Sequence, residues 1–241
     1  MGRKVASIGG RDRTMNATTA VRVGAQGVRP AAVAEIAALA LVLLSYIWVW
    51  EGAFPLHFLA ILLLYFGIGI EGHWRRGERL RDIGVRADNL WPALRLVSVW
   101  IAPVGLAAIV AGLLLRSLHF PPLGEAAGSV AFGVLWGSAQ QYGLVCVFYR
   151  RLREAVPGRR LPIIAGGLLF GLLHIPNPFL MVVTTSLGML ACWLYEREPN
   201  LFALGLWHGL TSFAFYYSLP IWLTIEMKVG PQILPYLAWP F

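Results

Sequence analysis

The sequence predicts an all-α fold: a polytopic helical bundle in a membrane, with seven or eight transmembrane helices. Of its 241 residues, 58% are hydrophobic and only 13% are charged, whereas soluble domains carry about 25% charged residues. The apolar residues lie in blocks of about twenty, the length that an α-helix needs to cross a bilayer. The basic residues that give the chain its net charge of +8 lie between these blocks. We therefore expect a lipid bilayer as the partner, and no nucleic acid.

The first half of the chain predicts three membrane helices. Residues 31–50 and 53–70 are two apolar blocks in close succession. Residues 71–96 hold six arginines and predict a charged segment, in which we expect the arginines to mark topology and to contact anionic lipid. Residues 97–115 form the third apolar block.

The second half predicts four further membrane helices and an irregular tail. Block 128–149 is followed by a basic stretch that predicts a loop, and block 161–174 is short. Blocks 179–195 and 200–219 complete the series. The tail 220–241 is apolar but broken by prolines, so it predicts either an eighth, irregular helix or a segment in the membrane interface.

Basic residues predict the orientation. With the N-terminus inside, every Lys and Arg except Arg116 and Lys228 falls on the cytoplasmic side, as the positive-inside rule requires. We expect integral insertion in a bacterial inner membrane with a cytoplasmic N-terminus. Residues 1–30 are polar and lack the apolar core of a signal peptide, which predicts a disordered cytoplasmic arm. Residues 31–241 are predicted to form a single membrane domain.

Two smaller expectations concern cysteines and histidines. Cys146 and Cys192 both lie inside apolar blocks without metal-binding spacing, so we expect two buried thiols and no disulfide. His57, His73 and His119 lie near block ends, and we expect them to be solvated.

Polar side chains inside three of the apolar blocks predict a site. Gln140 and Gln141 lie in the fourth block, His174 ends the fifth, and His208 lies in the seventh. Polar groups at membrane depth are costly and face a bundle interior or a cavity. The predicted topology brings the four to within about 10 Å of a common depth. The alternatives are that the glutamines only join helices by hydrogen bonds and that each histidine only packs.

The polar positions belong to three short motifs in a fixed order. The motifs are Gln140-Gln141-Tyr-Gly-Leu-Val145, Phe170-Gly-Leu-Leu-His174 and His208-Gly-Leu-Thr-Ser212.

This order resembles the CPBP family of CAAX prenyl proteases and bacteriocin-processing enzymes, also called ABI proteins, over about residues 70–219. That family carries Glu-Glu-x-x-x-Arg, Phe-x-x-x-His and His-x-x-x-Asn. The resemblance implies an intramembrane endopeptidase in which a glutamate activates water. It also implies that His174 and His208 would bind a metal such as zinc or stabilise the oxyanion, and that the partner is a membrane-associated peptide or protein.

The chain departs from this pattern where the chemistry is most demanding. Gln140 and Gln141 replace both glutamates, Val145 replaces the arginine, and Ser212 replaces the asparagine. A general base must accept a proton near the working pH, and a carboxamide is nearly non-basic. Catalytic zinc usually has three protein ligands, so two imidazoles beside neutral amides predict a weak site. The candidate catalytic residues are Gln140, Gln141, His174, His208 and Ser212; the candidate metal ligands are His174 and His208.

Three functional hypotheses remain open. The first is a divergent intramembrane endopeptidase homologue that hydrolyses peptide bonds in or near the membrane, if it is active. The second is a catalytically inactive pseudoprotease that binds a membrane peptide or a protein partner. The third is a small-molecule transporter, which the lack of an evident internal repeat disfavours.

Overall fold

The computed structural model describes residues 30–50 and 55–237, and every regular element within them is helical. The predicted arm 1–30 lies outside these residues except for Pro30, which begins the first helix. The helices are α1 Pro30–Ser45 with a π-helical end Tyr46–Trp50, α2 Pro55–Arg75, α3 Leu90–Leu114, α4 Leu123–Gln141, a π-helical segment Tyr142–Tyr149, α5 Arg150–Ala155, α6 Arg160–Leu172, α7 Pro178–Arg197, α8 Leu201–Ser218, α9 Ile221–Thr224 and α10 Leu234–Leu237.

Four helical stretches in the described residues are long and apolar enough to cross a membrane: 30–49, 90–114, 123–155 and 178–197. The protein is therefore an integral membrane protein, and its described elements are all helical. The total of seven or eight spans and the cytoplasmic N-terminus stay predictions.

Helices α4 and α5 form one continuous helix through the π-helical segment between them. The basic residues at 150–155, predicted to begin a loop, therefore continue a helix, and that boundary was wrong. All eight residues of Tyr142–Tyr149 are buried. Hydrogen bonds of the i→i+5 type are rare and occur often at functional sites. Here the segment begins directly after Gln141.

Close backbone contact joins α4 to α8. Gly133 and Gly137 on α4 face Gly205 and Gly209 on α8, with four-residue spacing on both helices. A Cβ at Gly209 would lie 2.5 Å from the Val134 nitrogen, and one at Gly137 would lie 2.8 Å from Cδ2 of His208. Small residues at this spacing let membrane helices approach closely. The glycines therefore set the distance between two of the predicted motifs.

A buried cluster of charges ties α1, α2 and α5 together, and Arg151 is its centre. The Arg151 side chain is 0% exposed. It donates to Glu35 at 2.8 Å, to Glu154 at 2.9 Å and to Glu78 at 2.9 Å. Burying a guanidinium is tolerable only when opposite charges and hydrogen bonds surround it. We call the following residues the ion cluster: Glu35, His73, Arg76, Glu78, Arg150, Arg151 and Glu154.

The prediction for His73 was wrong. The residue was predicted to be solvated, but it is 5% exposed, because its Nδ1 lies 2.6 Å from Glu78 and 3.1 Å from Arg151. His119 is exposed as predicted, and the side chain of His57 lies outside the described residues. The cysteine prediction is confirmed, since Cys146 and Cys192 are buried free thiols.

The tail after α8 is short helices and turns rather than one further helix. Asn177 begins α7 by accepting from the Leu180 amide at 3.0 Å. Its amide also donates to the carbonyls of Thr224 at 2.9 Å and Lys228 at 3.0 Å. A single fully buried side chain thus caps a helix and holds the tail against the bundle.

Candidate functional site

A cavity of about 760 Å³ opens between α1, α2, α4, α6, α7, α8 and the tail. All five predicted site residues line it: Gln140, Gln141, His174, His208 and Ser212. The structure therefore brings together the polar residues of three separate apolar blocks. Pockets of about 300–1,000 Å³ hold most small ligands. Most of the remaining lining is apolar, and we call the polar part around Gln141 and His208 the cavity floor.

The centre of the floor is a hydrogen bond between an amide and an imidazole. Gln141, 5% exposed, donates from Nε2 to Nδ1 of His208 at 3.0 Å. Since Nδ1 accepts this bond, a neutral His208 carries its proton on Nε2. The close packing of α4 on α8 keeps this pair in register.

His174 is held by its own helical turn. Its Nδ1 donates to the Phe170 carbonyl at 2.7 Å, which leaves a lone pair on Nε2 of the neutral ring. The Phe170 ring stands edge-on to both imidazoles, with centroids 5.0 Å from His174 and 6.3 Å from His208. Phe170 therefore contacts both histidines, a role that its place in the second motif did not reveal.

Two buried polar atoms at the floor have no hydrogen-bond partner in the described part of the chain. Oε1 of Gln141 and Oγ1 of Thr211 are buried and make no hydrogen bond within the described part of the chain. Buried polar groups in folded proteins almost always have a partner, and an exception calls for an explanation such as water or a ligand. Thr211 was not among the predicted site residues, although it adjoins Ser212 in the third motif.

Formal charge is scarce around the cavity. Among the described lining residues other than the histidines, only Glu226 and Lys228 are ionisable to a full charge near neutral pH. They pair with one another at 2.7 Å, and Lys228 also donates to the Tyr236 hydroxyl at 2.6 Å. Both belong to the tail. The floor itself consists of neutral amides, hydroxyls and imidazoles.

The donor set fits zinc poorly. His174 and His208 offer at most two imidazole ligands, and Nδ1 of His208 already accepts from Gln141. Nowhere in residues 30–50 and 55–237 do three or more His, Cys, Asp or Glu side chains form a group that could hold a metal ion. Catalytic zinc sites usually combine three protein ligands and often include an anion. Zinc therefore stays a prediction, and no chemical step is assigned to it.

One region of the chain matches a known family model. Residues 140–214 match the family model described as Rce1-like, type II CAAX prenyl endopeptidase Rce1-like. This region is an Rce1-like domain. The match begins at Gln140 and extends past Ser212, so the Rce1-like domain contains all three motifs. Comparison with curated proteins and with solved structures found no significant match.

The ion cluster lies further along the same continuous helix. The π-helical segment Tyr142–Tyr149 separates Arg151 from Gln141. The cluster's three carboxylates, Glu35, Glu78 and Glu154, are bound to arginines, and none of the three lines the cavity. Burial would raise the pKa of Glu78, but hydrogen bonds from His73, Arg151 and Arg150 outweigh it and hold that pKa well below its ordinary value. These carboxylates are structural partners rather than bases for the cavity.

Proposed function

We propose that this protein is a non-hydrolytic member of the Rce1-like proteins that binds an apolar peptide segment of a membrane-associated partner in its cavity. One observation carries the proposal. At the first-motif position where the resemblance implies a carboxylate, Gln141 places a carboxamide and bonds it to His208. The cavity is retained while the group that would take a proton from water is not.

The chemistry of the floor supports binding over hydrolysis. Peptide hydrolysis by water needs a proton acceptor within hydrogen-bond reach of the nucleophile. The amides of Gln140 and Gln141 do not provide one, and Nδ1 of His208 is occupied. The apolar lining and the roughly 760 Å³ of space instead suit an apolar segment with a few polar groups.

A slow endopeptidase is the second candidate, because one group could still act as a base. Nε2 of His174 keeps a lone pair, since the ring donates through Nδ1 to Phe170. Histidine is the commonest general base. If His174 activated water, hydrolysis would disappear in His174→Ala.

The test of binding uses the full chain in lipid nanodiscs and an acetylated, uncharged peptide of leucine and alanine with a fluorescent label. We expect saturable binding, and at least a tenfold loss in Ser212→Trp, which fills the cavity from α8. The matched control is Ser186→Trp, on the exposed face of α7, which should bind normally. Equal binding by both variants would show that the peptide does not enter the cavity.

Two further measurements separate the candidates. The same peptide is followed by mass spectrometry, and we expect no cleavage above that of empty nanodiscs. Cleavage that vanishes in His174→Ala would overturn the non-hydrolytic proposal. Metal analysis of the purified protein should give far less than one zinc per chain; stoichiometric zinc that is lost in His174→Ala would likewise contradict it.

A further inference from the structure

The tail contains one turn whose backbone lies in the left-handed region. Ile225, Glu226 and Met227 are consecutive and have φ values of 52°, 51° and 55°. Residues with a Cβ visit this region singly and at a cost, and a β-branched residue such as Ile225 is an outlier there. The Lys228 amide donates to the Ile225 carbonyl at 3.0 Å and closes the turn. Three such residues in a row form a strained segment, which persists only with support from its surroundings.

One buried side chain joins the two ends of this turn. The side-chain amide of Asn177 donates to the carbonyl of Thr224, directly before the turn, at 2.9 Å. It also donates to the carbonyl of Lys228, directly after the turn, at 3.0 Å. Asn177 is 0% exposed, so water does not compete for these bonds. Because the turn brings both carbonyls to one nitrogen, the Asn177 amide stabilises the turn in its left-handed conformation.

The same turn forms part of the cavity wall, and we call residues 225–229 the strap. Four residues of the strap line the cavity: Glu226, Met227, Lys228 and Val229. The strap is also tied to the chain next to the second motif. The Gly230 amide donates to the Ile175 carbonyl at 3.0 Å, one residue after His174. A change in the backbone of the strap would therefore redirect four side chains of the cavity wall.

The other polar contacts of the strap are local and partly exposed. Lys228 pairs with Glu226 inside the strap at 2.7 Å and donates to the Tyr236 hydroxyl of the tail at 2.6 Å. The Lys228 and Glu226 side chains are about one-third exposed, and such ion pairs contribute little to stability. Met227 adds apolar packing. In the described part of the protein, Asn177 therefore supplies the polar link between the strap and the long helices.

We propose that the strap is a gate of the cavity, which Asn177 holds closed. While both amide bonds are present, the left-handed turn is retained and the strap forms one wall of the cavity. When the bonds break, the turn relaxes toward the conformations that L-residues prefer, and the strap leaves the wall. Strained segments of this kind occur at ligand clamps and switch regions. The inference goes beyond the proposed function, since it concerns passage into the cavity and not what the cavity binds.

The experiment measures how fast a bulky fluorescent maleimide reaches a thiol placed in the cavity. Ser212→Cys provides that thiol on α8, in the full chain in lipid nanodiscs. The two natural thiols are buried, and labelling of the chain without the added cysteine is subtracted. Asn177→Asp is then introduced beside Ser212→Cys. It keeps the oxygen that caps α7, but at neutral pH it has no hydrogen to donate to the two carbonyls.

We expect Asn177→Asp to speed the labelling by about tenfold or more, because two buried hydrogen bonds are lost. The matched control is Asn200→Asp. Asn200 is also 0% exposed and caps α8 by accepting from the Ala203 amide at 3.0 Å. Its own amide donates to Arg86 and Asn89, which lie outside the tail. Asn200→Asp should therefore leave the labelling rate near that of the parent.

A second comparison leaves Asn177 in place. Glycine adopts the left-handed region without a steric cost, whereas alanine there is destabilising. Ile225→Gly and Ile225→Ala remove the same side chain, and only the second keeps a Cβ. We expect labelling about threefold slower in Ile225→Gly than in Ile225→Ala, because glycine favours the closed strap. This pair still decides the question if Asn177→Asp does not fold.

Faster labelling in Asn177→Asp but not in Asn200→Asp would support the gate, as would slower labelling in Ile225→Gly. Equal acceleration by both aspartates would overturn it, because the whole bundle would then be loosened. An unchanged rate in Asn177→Asp, or equal rates for the two Ile225 variants, would also overturn it. The labelling uses no peptide, so a failure of the gate is distinguishable from a failure of the proposed function.

Discussion

Two polar regions share one long helix, and they are built on opposite principles. At Arg151 the ion cluster surrounds a fully buried charge with three carboxylates, and short bonds join arginine to glutamate. At Gln141 the cavity floor carries amides, hydroxyls and imidazoles, and two of its buried oxygens are unpaired in the described residues. The ion cluster, whose charged groups are paired, joins helices. The cavity floor, which has unpaired polar atoms, faces the cavity. The protein keeps its buried carboxylates where they stabilise the fold and has amides where the resemblance implies catalysis.

A substitution in the ion cluster should lower the stability of the protein more than the other substitutions considered below. Arg151→Leu would leave Glu35, Glu78 and Glu154 without their shared partner, and breaking a buried charge pair costs about 3–5 kcal/mol. We expect a large drop in the thermal unfolding midpoint in detergent. The control is Arg159→Leu, since Arg159 is 81% exposed and lies 3.6 Å from Glu196, and such pairs contribute about 0–1 kcal/mol. Similar midpoints for both variants would show that the buried cluster is not stabilising.

A substitution at the glycine contact between α4 and α8 should have the second-largest effect. Gly209→Ala would bring a methyl group to 2.5 Å from the Val134 backbone nitrogen, and overpacking costs about 1–3 kcal/mol. We expect lower stability and weaker peptide binding, because His208 would shift relative to Gln141. Gly67→Ala is the matched control. It meets nothing within 4 Å and should be neutral or slightly stabilising through helix propensity. An unchanged Gly209→Ala would contradict the close contact of α4 with α8.

The hydrogen bond at the floor should matter less to stability than to binding. Gln141→Leu removes the bond to His208, worth about 1 kcal/mol, and also removes an unpaired acceptor, so the loss in unfolding free energy should stay below about 1.5 kcal/mol. Binding of the acetylated, uncharged peptide of leucine and alanine should fall by a larger factor than stability explains. If stability fell as far as in Arg151→Leu, the contrast between the two regions would be lost.

Acid should destabilise the protein through the ion cluster. The hydrogen bonds of Glu78 hold its pKa below its ordinary value, so the folded state favours the ionised carboxyl. The resulting stability is complete above the unfolded pKa of about 4.3 and is lost as the pH falls through the lower folded value. We expect the unfolding midpoint to decline below about pH 4, with a smaller decline in Glu78→Gln. An identical acid response in both would exclude Glu78 as the cause.

The sequence predicted the convergence of polar residues because two simple constraints act on them. Gln141, His174 and His208 lie within apolar blocks, and lipid would penalise any outward-facing arrangement. Their similar distance from basic residues then placed them at one depth. The spacing of Gly133 with Gly137 and of Gly205 with Gly209 was also visible in the sequence. It would have predicted the contact of α4 with α8.

Other features were not predictable, because they depend on partners distant in sequence. His73 is buried only because Glu78 and Arg151 meet it. The prolines on either side of Asn177 predict a turn, yet its side-chain amide donates to carbonyls about fifty residues further along the chain. The tail has no hydrophobic period, so its path is set by that contact and not by a local pattern. The catalytic roles assigned to the five site residues stay predictions.

The wider hydrogen-bonded turns of Tyr142–Tyr149 have a consequence for changes in chain length. This segment fixes the angle at which Arg151 leaves the helix relative to Gln141, since each residue in it turns the chain less than one in an ordinary α-helix. Deleting a single residue here would rotate the arginines away from Glu35 and Glu78 without altering any polar group. Substitutions should therefore be tolerated far better than deletions over these eight buried positions.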